Sequence, residues 1–472
     1  MQVNVQRVDR LPRQAWVLHH RAGVTNVAVG DKVRVTDDAF FEGGWALTPA
    51  PEALSLSGIH LGSGAAWGSG RLTLISPSHT LESVWTATSA GETWAANSLA
   101  LLVAATRPDG FRIWRLRRAM RSVYRGVSGI VREVHAGPDV IIRRFVNAFV
   151  EIGEDGLPVE RQQEQAADFD DYASYAGFLR RAVGEALASY GGDKLAVYVS
   201  RGYDSPACAA LARDVGPATA ICIDRTATGD ADDGALIADA LGIPSVMTRR
   251  KPRPTRVVGY GYGVEAIAAD DYEDVFEFFC GVHIADECLR APDEIVADRA
   301  VLTGWYGDVA WGIDGPVWRD LKRGHPSSGG IGLGEFRLRT GFMHLPVPGF
   351  AFNRSAVVRA IGESEAMRPW RLGTDYDRPI PRRIVEEAGV PRELFGVRKQ
   401  FTATQAANLH GIASILFDMQ IARYAPAFAD WPFARAPGGR LTRAAGSAAY
   451  ASSAASVSGS VTGSEQVWPR QT

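Results

Sequence analysis

Lysine is scarce in this 472-residue chain: it stands only at positions 32, 194, 251, 322 and 399, and arginine supplies the remaining basic charge. Cysteine is rarer still. Cys208, Cys222, Cys280 and Cys288 show no C-x-x-C spacing and no histidine clustering, which argues against a structural zinc site and for reduced, buried thiols. No run of about 18 apolar residues occurs, so a membrane-spanning helix is not expected. The opening stretch MQVNVQRVDRLPRQAW lacks the apolar centre of a signal peptide, and a cytoplasmic protein is the expectation. A formal net charge of -2 offers no electrostatic footprint for nucleic acid or an anionic membrane. Internal repeats are absent.

What is present reads as three segments. Over residues 1–165, short apolar stretches (Gln14–His19, Arg71–Ser76, Glu82–Thr88, Thr93–Ala96, Val140–Val150) alternate with Gly, Ser and Asp, the pattern of a β-rich domain. Leu99–Ala105 and Trp114–Val123 read as helices, giving an α+β region. Polar residues over Glu160–Asp170 mark a linker or a helix lead-in. Residues 166–433 then alternate helices and strands: a helix from Tyr172 to Tyr190 stopped by Gly191 and Gly192, then strands at Leu195–Val199, Ala220–Ile223 and Ser245–Met247. That alternation predicts an α/β domain built on a parallel sheet. From about residue 434, Ala, Gly and Ser predominate, and the tail is expected to be disordered.

The sharpest local signal is LAVYVSRGYDSPACAALA, Leu195 to Ala212. A buried strand ends at Val199; Ser200, Arg201, Gly202, Tyr203, Asp204 and Ser205 form a loop; Ser205 is a candidate N-cap, with Pro206 at the first helical position. Free N–H groups and the positive end of a helix would converge there on an anion, with hydroxyls from Ser200 and Ser205 as added donors. No Walker A pattern is present. Asp204 is suited to Mg²⁺.

This loop resembles the S-G-G-x-D-S pyrophosphate loop of the asparagine synthetase family and its PP-loop relatives, with Arg201 where the family carries glycine. Three further segments resemble the family in its own order. VLTGWYGDVAWG (Val301–Gly312) is similar to L-S-G-x-G-x-D-x-x-F-G, with Leu302, Thr303, Gly304, Asp308 and Trp311 in register; Gly334-Glu335-Phe336-Arg337 is similar to G-x-E-x-R; and Arg378–Phe401 ends on Arg398-Lys399, which stands for the family's basic pair. Asp230, ahead of Gly242, sits at the offset of a family acidic residue, and Ile223 then falls beside adenine.

The resemblance implies a PP-loop (adenine nucleotide α-hydrolase-like) synthetase domain over 166–433. ATP and Mg²⁺ are the implied cofactors. The phosphate contacts fall on Ser200, Arg201, Gly202, Tyr203, Asp204, Ser205, Gly304 and Arg398, and the metal ligands are Asp204 and Asp308. Lys399, Glu335 and Tyr306 are the implied catalytic residues. Tyr306 lies one residue from the tyrosine of β-lactam-forming relatives, and Trp305 replaces the glutamate of asparagine synthetases. Gly91–Ala105 and Arg132–Phe145 resemble parts of the family's N-terminal (Ntn) amidotransferase domain. The chain opens Met1-Gln2 rather than with the family's catalytic cysteine, so residues 1–165 are expected to be a degenerate relic that does not hydrolyse glutamine. The implied reaction is amide formation through an acyl-adenylate, with a small-molecule or peptide carboxylate and an amine as substrates; a homodimer is allowed. Two other readings stand: adenylation for a non-nitrogen nucleophile, and a silent nucleotide-binding scaffold. The glycine-rich stretch Gly259–Gly263 reads as a flexible loop.

Overall fold

The structure is a computed structural model that describes residues 1–46, 59–107, 111, 113–137, 140–153, 155–163, 168–190, 194–224, 231–248, 290–314, 333–397, 413–429 and 431. These all belong to one compact unit, Met1–Arg435. Asp230, Gly259–Gly263, Cys280, Cys288, Arg398, Lys399 and the tail fall outside the described residues.

The N-terminal strands run β1 (Gln2–Arg7), β2 (Trp16–Arg21), β3 (Val24–Val29), β4 (Arg34–Val35), β5 (Ala39–Phe41), β6 (Trp45–Ala46), β7 (Ile59–His60) and β8 (Gly64–Gly68). They continue as β9 (Arg71–Ile75), β10 (Val84–Ser89), β11 (Glu92–Ala96), β12 (Glu133–His135), β13 (Ile141–Phe145), β14 (Ala148–Ile152) and β15 (Pro158–Gln162). Two large sheets result, in the orders β1-β3-β2-β11-β10-β13-β12 and β15-β14-β9-β8-β5-β4, and β6 and β7 form a separate two-stranded sheet. Three hairpins are closed by two-residue turns with positive φ at both central residues: Ala22-Gly23, Ser69-Gly70 and Ala90-Gly91. Such turns match the right-handed twist of the strands they join. Alternation does the rest. Trp16 and Leu18 of β2 enter a core shared with Leu72, Leu74 and Val150 of the second sheet, while Val17 points the other way, toward helix α1 (Leu99–Thr106).

Some sequence expectations shift. The stretch Val140–Val150 is two strands, because Asn147 takes φ 48° and the chain passes from one sheet to the other there. Trp114–Val123 is not one helix: the short helix α2 (Arg117–Arg121) lies between 3-10 turns. The polar stretch after Glu160 begins inside β15, an edge strand held by backbone bonds to β14 that require no apolar side chains.

The C-terminal layer contains α3 (Tyr172–Tyr190), β16 (Leu195–Val199), α4 (Asp204–Val215), β17 (Ala218–Ile223), α5 (Ala235–Ala240), β18 (Ser245–Thr248), β19 (Ala300–Thr303) and β20 (Met343–Pro346). The strand order is β18-β17-β16-β19-β20, every pair parallel. All five residues of β16 are buried: Leu195, Val197 and Val199 join the core of α3 and α4, whereas Ala196 and Tyr198 join the core of α1. Helices on both sides explain why this central strand is apolar at every position. Burying each such valine or leucine contributes about 1.5–3 kcal/mol.

A buried ionic cluster fastens the two layers together. The Arg337 guanidinium meets Glu42, Glu82 (2.9 Å) and the Gln14 side-chain oxygen (3.0 Å). Burial alone would lower the Arg337 pKa, but Glu42 and Glu82 raise it. Glu42 in turn accepts from the Ser63 N–H and hydroxyl, both at 2.9 Å. Among the described residues, no helix is long and apolar enough to cross a membrane.

Candidate functional site

From β16 the chain moves outward through α4 and α5 to β17 and β18; β19 then joins β16 on its other side. The crevice outside the carboxyl ends of β16 and β19 is therefore the topological switch point, where open α/β sheets bind ligands. The Ser200–Ser205 loop leaves β16 at that crevice, and the Gly304–Asp308 turn leaves β19.

The loop is built tightly. The Ser200 N–H donates to Ser205 Oγ at 3.0 Å, and the two serine hydroxyls lie 2.9 Å apart. Helix α4 begins at Asp204 with Tyr203 as a cap residue that makes no side-chain bond. Ser205 is thus not the N-cap: its hydroxyl spans the loop instead, and Pro206 lies in the first turn, where its missing N–H is no loss. The Arg201 N–H donates to Asp232 Oδ1 (3.1 Å) and its carbonyl accepts from the Val397 N–H (3.1 Å), while the Gly202 carbonyl accepts from Gly396 (3.3 Å). The chain leading to Arg398 therefore runs along the loop as far as Val397.

The two turns interlock through glycine. A Cβ on Gly304 would lie 2.8 Å from both Asp204 Cβ and the Ser205 nitrogen, and one on Gly307 would lie 2.1 Å from Asp204 Cγ. Asp204 therefore packs into the turn that carries Asp308, whose side chain is exposed. The Cys208 thiol, buried and free, donates to the Thr303 carbonyl (3.5 Å) and fixes α4 against β19. Asp204 forms an ion pair with Arg378, whose guanidinium lies 4.8 Å from the Tyr376 ring centroid. Although burial would lower the Arg378 pKa, Asp204, Tyr376 and Asp308 raise it. Burial likewise pushes the Tyr376 and Tyr203 hydroxyls up.

The remaining candidate residues are spread differently. Ile223 ends β17, one strand from the loop. Tyr306 takes φ 69°, a rare conformation for a tyrosine, and is fully buried among Leu81, Val127 and Phe352 with its hydroxyl on Thr80. Glu335 is buried too: it accepts from the Ser98 hydroxyl (2.5 Å), the N-cap of α1, and from Tyr424. Burial raises its pKa. A catalytic role for either residue requires those bonds to open when substrate binds.

Arg378, Tyr376, Gly307 and Asp232 were not singled out from sequence. One signal was available for Arg378. It immediately precedes the helix Pro379–Glu387, where the dipole disfavours a cation unless an anion waits nearby.

Among the described residues, no group of three or more His, Cys, Asp and Glu side chains is arranged to hold a metal ion. A pair of carboxylates still suits Mg²⁺, which keeps several waters and commonly takes one or two carboxylates together with substrate phosphates.

The fold defines an α/β protein with a doubly wound parallel sheet and the Ser200–Ser205 loop at its switch point. No family model matches the chain, and no curated protein does. Among solved structures, it is similar to a U34-tRNA thiolase, NcsA, from Methanococcus maripaludis, solved with its 4Fe-4S cluster. The match covers 54% of this chain and 95% of that one at 11% identity, with a TM-score of 0.19. So slight an overlap carries no inference about fold or function.

Proposed function

We propose that this chain is an ATP-dependent, AMP-forming ligase that activates a carboxylate as an acyl-adenylate and passes the acyl group to nitrogen, without hydrolysing glutamine. The observation that carries this reading is the packing of Asp204, at the start of α4, into the Gly304–Gly307 turn that bears Asp308, at the carboxyl ends of two adjacent parallel strands. That is the geometry expected of a nucleotide-phosphate site.

In this reading, the Ser200–Ser205 loop and the α4 N-terminus hold the phosphates, with Arg201 at their edge and Ile223 beside the base. Asp204 and Asp308 would hold Mg²⁺, which when bound offsets phosphate charge. A substrate carboxylate oxygen attacks the α-phosphorus and pyrophosphate leaves; an amine then attacks the acyl carbon and AMP leaves. Arg398 and Lys399 stabilise the charge that develops on the phosphate and acyl oxygens. The N-terminal sheets serve as a scaffold, fastened through Arg337, Glu335 and Tyr306.

The test is ATP–pyrophosphate exchange across a panel of carboxylates, with product masses read alongside. Exchange that requires one acid supports the reading; its absence with every acid, despite ATP binding, favours a silent nucleotide-binding protein. Glutamate release from glutamine would overturn the amidotransferase-free part. The silent alternative draws on Arg201, whose side chain stands where the family's glycine leaves the backbone open.

A further inference from the structure

The Asp204 carboxylate already has a cation. Arg378 reaches it from another part of the chain, and both side chains are largely buried, 11% exposed for Arg378 and 18% for Asp204. The guanidinium is held on its other side by the Tyr376 ring, which packs on Tyr203 of the loop with centroids 5.1 Å apart. Asp308 also acts on Arg378 electrostatically, so one guanidinium lies in the field of both acids. Its backbone position, just before a helix, is unfavourable for positive charge unless acids compensate for it.

We infer that Arg378 is a tethered counter-cation. It neutralises Asp204 in the nucleotide-free chain and competes there with a divalent ion, yielding the carboxylate when nucleotide and metal arrive together. This rests on reading the loop as a nucleotide-phosphate site. A guanidinium paired with Asp204 and a metal ligated by it repel each other and contend for the same carboxylate. Without Arg378, an empty site would leave the partly buried Asp204 with one cation fewer beside it, which is costly. Released from Asp204, the planar fork is suited to phosphate oxygens.

The experiment titrates Mn²⁺ into nucleotide-free protein and reads free Mn²⁺ by electron paramagnetic resonance, comparing wild type with R378Q and R378K. Removing a unit charge this close should tighten Mn²⁺ binding about tenfold or more in R378Q. R378K keeps the charge and should stay near wild type. Unchanged Mn²⁺ affinity in R378Q, or an equal gain in R378K, would overturn the inference and leave Arg378 as a structural pin. Should R378Q not fold, R378M gives the same comparison. Because this titration contains no nucleotide, its outcome is separable from the ligase reading, which fails instead if wild type binds no ATP in the presence of Mn²⁺.

Discussion

The Asp204 carboxylate occupies the space that a side chain on Gly307 would fill: a Cβ there would stand 2.1 Å from Asp204 Cγ. Gly307→Ala should therefore push Asp204 off its position and break its contact with Arg378. Overpacking of this kind costs about 1–3 kcal/mol of stability. The larger expected effect is on function, with cation-dependent ATP binding weakened by about tenfold or more. Calorimetric titration of MgATP, with thermal unfolding measured alongside, checks both. Wild-type affinity in a folded Gly307→Ala protein would show that the position of Asp204 is immaterial.

The two acids should respond differently to substitution. Asp308 is exposed. Asp308→Asn should leave stability within about 0.5 kcal/mol of wild type while removing Mg-dependent pyrophosphate release. Asp204→Ala leaves the Arg378 guanidinium buried without its carboxylate, a loss of about 3–5 kcal/mol. Urea unfolding of the two variants distinguishes them. Equal stabilities would mean that Arg378 finds another partner, and full pyrophosphate release in both would end the metal assignment.

Stability should fall on mild acidification. Burial pushes the imidazoles of His60, His79 and His344 down to about 3 from an ordinary 6.5. Glu82 and Arg337 face His79, Arg337 faces His344, and His60 packs on Phe149. Well above pH 6.5 all three are neutral whether the chain is folded or unfolded. As pH drops through 6.5, the unfolded chain takes up protons that the folded chain refuses, so stability is lost progressively toward pH 3. Each imidazole accounts for roughly 2 kcal/mol between pH 6.5 and pH 5. The urea midpoint should decline over that interval and decline less steeply in His60→Asn. A flat profile in wild type would mean that the folded chain admits the protons.

Glu335 should prove important to folding. Its carboxyl joins Ser98, which caps α1, to Tyr424 of the helix Ala413–Tyr424. Glu335→Ala removes the acceptor of the buried Ser98 and Tyr424 hydroxyls, at about 1–3 kcal/mol for each bond lost. Thermal unfolding should show the loss, and Glu335→Gln should recover part of it. If Glu335→Ala keeps wild-type stability and loses only turnover, the residue acts in chemistry.

How much of this was legible depends on how local the physics is. The strand Leu195–Val199 and the helix Tyr172–Tyr190 match their sequence readings to the residue, because covering both faces of a strand or one face of a helix imprints directly on the residue pattern. The Gly304–Asp308 turn was legible through the resemblance of Val301–Gly312 to a family segment with a strand followed by a glycine turn. The Asp204–Arg378 pair was not, since its members lie 174 residues apart and the stretch around Arg378 reads as an ordinary helix start. The catalytic reading of Glu335 came from the likeness of Gly334–Arg337 to the family's segment, whereas its bonds to Ser98 and Tyr424, 237 and 89 residues away, leave no local trace. Tyr306 carries a positive φ that no residue pattern announces for a tyrosine.

Lys399 should serve the chemical step more than nucleotide affinity. The Val397 N–H, two residues earlier, donates to the Arg201 carbonyl of the Ser200–Ser205 loop at 3.1 Å. In the transition states of the proposed adenylation and acyl transfer, charge would build on oxygens that carried less of it in the bound substrates. A compact ammonium beside them strengthens its interactions as the reaction proceeds, and only such differential binding raises the chemical rate. Losing one donor of this kind costs about 10² to 10³ in rate. Lys399→Ala should therefore cut turnover at saturating ATP by that order while leaving the ATP dissociation constant within a few-fold. Lys399→Arg should restore little, because a planar fork does not replace a point charge in a shaped pocket. Single-turnover kinetics beside equilibrium ATP binding separates the outcomes. A variant that binds ATP poorly yet turns over normally once saturated would make Lys399 a phosphate anchor, and unchanged kinetics would move the role to Arg398.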